Sequence, residues 1–391
     1  MRSIFSSLSG SGKSAAIRNC AAVSKAEVIR RMDSEMSNMR KKLAAAGLCF
    51  VLAAGMLTGC GDADKAIITL NGEKTEYAVA SVMLRYSQAQ MQSYYGAYMG
   101  DTMWEQYGDT TKTNLMSTLK QMLILEQHMD EYNVTISDDE KQEISDAAAT
   151  FISDNDKKAL KAMCADQATV ERVLALYTIQ NKMSEAMVAD VDTEVSDEEA
   201  AQKTIQYVVF STADTTDADG NTVALTDDEK AALLAQAEQL RDEAAAGTDM
   251  EEALSAIDEN KSVSTASYGD NDESYALDEA VRTAADGLKD GEVASEVVET
   301  DSGYYVIKMQ STFDESATEQ KKEEIVSQRK SDRFDELYDA WEAEADYTED
   351  SELLGTLDFT DTYQLATEET ETTAETTAET AAETETETTA E

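Results

Sequence analysis

The chain has no proline, one histidine and four cysteines, and its 391 residues hold only 32 Lys and Arg against 80 Asp and Glu. Each shortage excludes something. Ordinary usage would give about twenty prolines; without them, folding of this chain meets no slow Xaa-Pro isomerisation. A lone imidazole, His128, rules out a multi-histidine metal centre and any mechanism that needs two imidazoles. The formal net charge of -48 opposes binding to nucleic acid, which needs a basic face against phosphate. It equally opposes electrostatic docking on anionic lipid. Hydrophobic residues still make up 42%, enough for real cores, so the chain as a whole is not a disordered polyelectrolyte.

The apolar residues are first concentrated near the N-terminus. Arg40, Lys41 and Lys42 precede an uncharged run over 43–59, and Cys60 follows. A basic cluster followed by an apolar stretch and small residues is the pattern of an export signal. The run is also about as long as a short membrane span, but Leu57-Thr58-Gly59-Cys60 reads as a bacterial lipobox, whose cysteine takes lipid and becomes the first mature residue. Residues 1–59 are therefore expected to be an upstream extension plus signal peptide, the signal proper covering about 39–59. Maturation at Cys60 would leave Cys164 as the one other cysteine, read here as a small apolar helix residue without a disulfide partner.

Beyond the signal, 66–77 reads as strand, Asn71-Gly72 turn and returning strand. Helical periodicity then runs to about 190. Ser137, Ser196 and Thr226 each stand three residues before a glutamate with an apolar residue just ahead, the signature of a capping box at a helix start. From 204 the pattern becomes β-branched and aromatic in Ile205-Gln206-Tyr207-Val208-Val209-Phe210, a strand. Helices over 227–246, 250–257 and 278–288 and strands over 293–299 and 303–309 follow, a βααβαββ order that predicts a small α+β domain with a mostly antiparallel sheet. Residues 315–346 predict one long helix. Residues 366–391 contain only Ala, Glu and Thr and have no means of burying a core.

Several phrases in 204–310 resemble the parvulin-type peptidyl-prolyl isomerases: the strand Ile205–Phe210, Gly247-Thr248-Asp249-Met250, Ser267-Tyr268-Gly269-Asp270, Leu288-Lys289-Asp290-Gly291-Glu292-Val293, and Asp301-Ser302-Gly303-Tyr304-Tyr305-Val306-Ile307-Lys308. The last two are the specific ones. Together with the lipobox and the helical flanks, the layout resembles the PrsA-type extracellular foldases. The fold this implies is α+β, a mostly helical SurA/PrsA-like chaperone domain with an inserted parvulin-like domain. Its expected divisions are a helical chaperone segment over 60–200, the parvulin-like domain over 201–312, a helix over 313–347 packing with the chaperone domain, and a linker with an acidic tail over 348–391.

The resemblance also locates a site, and the sequence departs from the family there. The two family histidines align with Tyr207 and Tyr305. The apolar proline-pocket positions align with Leu277 and Val281, and Tyr268 and Met250 sit on neighbouring landmarks as further candidate substrate-binding residues. No nucleophile, cofactor or metal is implied, since an isomerase needs only to favour the twisted amide over the planar one. Two phenols can donate and accept hydrogen bonds, or they can fill the pocket; weak or absent catalysis is the expectation. The implied partners are unfolded or nascent secreted proteins, a membrane reached through lipid on Cys60, and no nucleic acid, with room for a homodimer. The run of Met and aromatic residues from Met83 to Tyr107 suits either a core or a crevice for unfolded chains. The alternative from another class is a solute-binding or adhesin-type surface lipoprotein, although repeated βα lobes are not seen.

Overall fold

The computed structural model describes residues 61–99, 102–216, 221–272, 277–359 and 363. Cys60, the signal expected over about 39–59 and the Ala/Glu/Thr tail lie outside them. The chain divides into two compact units, one from residues up to Val191 and from Lys330 onward, the other spanning Asp192–Arg329. No helix among the described residues is long and apolar enough to cross a membrane.

The first unit opens with strands β1 (Ala66–Leu70) and β2 (Glu73–Glu76), joined at Asn71 and Gly72. Both turn residues have positive φ, 52° and 85°, the conformation an Asn-Gly hairpin turn requires. Helices α1 (Tyr77–Met99), α2 (Thr102–Gln127), α3 (Asp138–Asp154), α4 (Lys157–Ala162) and α5 (Gln167–Met187) follow. A core containing Leu84, Leu119, Leu125, Phe151, Leu176 and Met183 lies among them. The start of α3 shows why the acidic phrases matter. Glu140 N–H donates to Ser137 Oγ at 3.2 Å, and Ser137 N–H donates back to Glu140 Oε2 at 2.8 Å, which completes the box.

The second unit begins with the single-turn helix α6 (Asp197–Ala200). Here the expected box forms only by half. Ser196 Oγ accepts from Glu199 N–H, but the Glu199 carboxylate is taken by Arg329 at 2.7 Å. Then come β3 (Lys203–Ser211), a two-residue hairpin of β4 (Thr215–Thr216) and β5 (Thr222–Val223), α7 (Asp227–Ala245), α8 (Met250–Ile257), β6 (Ser264–Tyr268), α9 (Glu279–Asp286), β7 (Val298–Thr300) and β8 (Gly303–Ser311). The main sheet runs β6-β3-β8-β7, antiparallel throughout. This is an α+β fold, as the sequence implied. The strand expected over 293–299 is shorter. Only Val293 bridges to Lys308 before regular pairing starts at Val298. The loop before it is held to β8 by single bonds, Gly291 N–H to Met309 O and Ala294 N–H to Ile307 O.

The sheet separates two cores. Alternation along β3 and β8 sends Val208, Phe210, Tyr304 and Val306 to the side covered by α7 and α8. It sends Ile205, Ile307 and Met309 to the side covered by α9. Gly303 is the tightest point. Its φ is +138°, and a Cβ there would stand 2.3 Å from the Phe210 carbonyl oxygen, so only glycine fits.

Helix α10 (Glu315–Glu344) leads back into the first unit, where β9 (Tyr347–Glu349) pairs antiparallel with β1 and a short α11 (Ser351–Gly355) follows. The first unit's sheet is thus β2-β1-β9. The expected linker after 348 is folded instead. Leu353, Leu357 and Tyr363 belong to the helical core, at 5%, 0% and 0% exposure. Their apolar side chains find a hydrophobic surface that only the assembled helices provide.

His128 and Gln88 are both packed against other side chains, and the expectation for Cys164 changes. The His128 ring stacks on Trp341 at 4.1 Å, and Nδ1 lies 2.6 Å from Glu131 Oε1. Gln88 is fully buried and accepts from Arg85 Nη1 at 2.9 Å. Cys164 is disulfide-bonded, its partner lying outside the described residues.

Candidate active site

Tyr207 on β3 and Tyr305 on β8 lie on the same face of the sheet. Tyr207 pairs with Ile307 and Val209 with Tyr305, so the two tyrosines are diagonal neighbours on adjacent strands. Their ring centroids are 5.8 Å apart with planes 27° from parallel. Both are half-buried against the core that contains Tyr268, Leu277 and Val281. Five of the six candidate residues of the isomerase site, Tyr207, Tyr305, Leu277, Val281 and Tyr268, therefore meet on one face. Met250 does not. It is buried with Phe210 and Leu254 on the opposite side of the sheet, because α8 carries it there.

The pocket positions are closed. Val281 is wholly buried and Leu277 is 8% exposed. Asp278 caps α9 by accepting from Ala280 N–H at 2.9 Å, which fixes where the helix places Val281. Tyr268 is turned into the fold. Its hydroxyl donates to Asp286 Oδ1 at 2.9 Å, and burial together with that carboxylate pushes the phenol above its ordinary pKa. Lys203 Nζ bridges Asp270 and Asp286 at 2.9 Å each. Burial opposes its charge, but the two carboxylates outweigh that and hold its pKa above the usual lysine value. Tyr268 and Lys203 thus lock β6 and β3 to α9. Asp258 closes α8 and accepts from Asn260 N–H at 3.0 Å, an exposed turn.

The remaining chemistry on this face is that of two phenol groups beside an apolar wall. Each hydroxyl can donate to a carbonyl or accept from an N–H, which suits binding an amide and offers no nucleophile. The motif Leu288–Val293 contributes shape. Asp290 Oδ1 accepts from Thr312 N–H and Oγ1 at 2.6 and 2.7 Å, and Leu288 packs on the same core.

A family model for the PPIC-type PPIase domain, the rotamase domain, matches residues 208–311. The chain contains a parvulin-type rotamase domain. Among solved structures, the foldase protein PrsA from Lactococcus lactis is similar at 15% identity over 75% of this chain and 100% of its own, with a TM-score of 0.30. The peptidylprolyl isomerase PrsA from Bacillus anthracis is similar at 19% identity, covering 56% of this chain and 96% of its own, with a TM-score of 0.25. Foldase PrsA from Streptococcus pneumoniae gives 18% identity, 60% and 84% coverage and a TM-score of 0.25. No curated protein matches the chain significantly. The rotamase domain begins within β3 and ends with β8, so its family match covers the strands that carry Tyr305 and most of the sheet.

The first unit holds a separate groove of ≈ 440 Å³ between α1, α2 and α5, lined by Met83, Met91, Tyr107, Leu115 and Tyr177 among neutral polar residues. Burial, and then the nearby Tyr86, push the Tyr177 phenol up to about 12, so this wall stays uncharged near neutral pH. The Met and aromatic run is divided by the fold. Met91 and Tyr107 face the groove, Met83 lies buried at its floor, Met103 is buried and Trp104 stacks on Phe359. The side chains of Tyr94, Tyr95 and Tyr98 lie outside the described residues. Sequence reading missed Arg85, Phe359 and Tyr363; the only signal was a pair of aromatics just ahead of the Ala/Glu/Thr tail.

Proposed function

We propose that this protein is an extracytoplasmic foldase, held at a membrane by lipid on Cys60, that assists secreted polypeptides as they fold. In this reading the helical unit holds unfolded segments and the rotamase domain contacts Xaa-Pro peptides with weak or absent catalysis. The observation that carries it is the rotamase match over 208–311, supported by the stacked pair of Tyr207 and Tyr305, the positions at which the resemblance implies the family histidines. The closed pocket supports weak turnover: with Val281 fully buried, a prolyl ring has no apolar cleft until the wall moves. The neutral, Met-lined groove of the helical unit supports the holding role, since flexible thioethers adapt to varied apolar partners.

The test is cis/trans exchange of short Xaa-Pro peptides by NMR with the mature chain, alongside Tyr207→Phe and Tyr305→Phe. The expected result is little acceleration that neither variant changes, while the same preparation suppresses aggregation of an unfolded secreted protein. Strong acceleration lost in both variants would make it an isomerase with a tyrosine-built site. Failure in both assays by a folded sample would remove the foldase reading.

A further inference from the structure

The last described stretch of the chain occupies a slot on α1 and α2. Arg85, only 6% exposed, donates from Nη1 to the Asp358 carbonyl, and its guanidinium carbon stands 5.1 Å from the centre of the Tyr363 ring. Phe359 stacks on Trp104 at 4.5 Å with the planes 4° apart. Gly108 makes room for it, since a Cβ there would come within 3.0 Å of the Phe359 ring. Lys112 Nζ lies 5.9 Å from the same ring. Trp104, Gly108 and Lys112 recur every four residues, so one stripe of α2 faces this aromatic.

The fit is incomplete on the slot's side. Arg85 Nε and Trp104 Nε1 are buried donors with no hydrogen-bond partner. A buried unpaired donor is costly, and segments that have settled permanently into a core satisfy nearly all of theirs. The slot therefore keeps two buried donors, Arg85 Nε and Trp104 Nε1, to which backbone carbonyls of an extended segment are suitable acceptors. The slot is also cationic, through Arg85 and Lys112, in a chain whose net charge is -48, and cation–π contact with aromatic side chains is what such groups favour.

We propose that this slot is a binding site for an extended, aromatic-bearing segment of an unfolded polypeptide, and that Asp358, Phe359 and Tyr363 hold it closed in cis as a displaceable strap. The idea rests on the reading of the helical unit as client-binding. It differs in placing a second site on the face of α1 and α2 that carries Arg85 and Trp104, and in making access depend on release of the chain's own C-terminal segment.

The experiment uses the full chain, its Phe359→Ser/Tyr363→Ser double variant, a fluorescent peptide of residues 355–366 of this sequence, and reduced, carboxymethylated α-lactalbumin as the unfolded client. The double variant should bind the labelled peptide about tenfold or more tightly than the wild type, because a site held closed lowers apparent affinity by its open fraction. The client should then displace the peptide. Absence of peptide binding by the folded double variant overturns the slot; peptide binding that the client does not reverse overturns its use for clients. A second measurement needs no variant. Saturating client should speed amide exchange at 356–359 in the wild-type chain, and unchanged exchange there refutes displacement. If the client binds nowhere on the chain, the foldase reading fails while the peptide arm still reports on the slot.

Discussion

Glu140 ties the start of α3 to α5, and its removal tests how the helical unit is held together. Its carboxylate accepts from Lys182 Nζ at 2.9 and 2.7 Å and from Ser137 N–H at 2.8 Å. The lysine bond, then the Ser137 backbone bond, draw its pKa from 4.5 to about 2. That gap is worth about 3 kcal/mol at roughly 1.4 kcal/mol per pH unit, and solvent at the helix start reduces it to about 1–3 kcal/mol. The folded pKa is depressed, so the stabilisation is complete above about pH 4.5 and is lost as pH falls toward about 2. Glu140→Gln keeps an acceptor for Ser137 and removes the ion pair. Both tryptophans, Trp104 and Trp341, belong to the helical unit, so tryptophan fluorescence in urea follows that unit without the rotamase domain. The variant should be less stable by about 1–3 kcal/mol at pH 7, with more than half of the deficit gone by about pH 3. A deficit that is the same at both pH values, or none at pH 7, would refute the reasoning.

Further outcomes follow from other contacts. Gly303→Ala should destabilise the rotamase sheet by about 2 kcal/mol or more, read as faster amide exchange over 204–210 and 303–309, because both φ and the Phe210 carbonyl exclude a Cβ. His128→Ala should lower the stability of the helical unit by about 1 kcal/mol and shift the tryptophan emission, since the imidazole is stacked on Trp341.

Local rules carried much of the fold. An Asn-Gly pair needs no distant contact to make a tight turn, and Ser137 with Glu140 or Thr226 with Glu229 closes a capping box within four residues. The two-residue alternation of β3 and β8 likewise put Tyr207 and Tyr305 on one face once the strands were paired. The parts that misled were those decided by partners far along the chain. Met250 looked like a pocket residue, but α8 delivers it to the other side of the sheet. Ser196 has the sequence of a capping box, yet Arg329 takes its glutamate. Gln88 is polar by type, yet it accepts from Arg85 inside the core.

By itself, the sequence determined the acidic balance of the chain, the helix starts and the α+β order of the rotamase domain, because each depends on neighbours or on bulk composition. Tertiary structure alone decided that the tyrosine pair sits against a closed apolar wall and that β9 completes the first sheet. It also decided that Phe359 and Tyr363 fold onto Trp104 and Arg85. Those outcomes depend on which surfaces remain uncovered after the helices assemble, and an aromatic residue in a polar tail gains its burial energy only when such a surface exists.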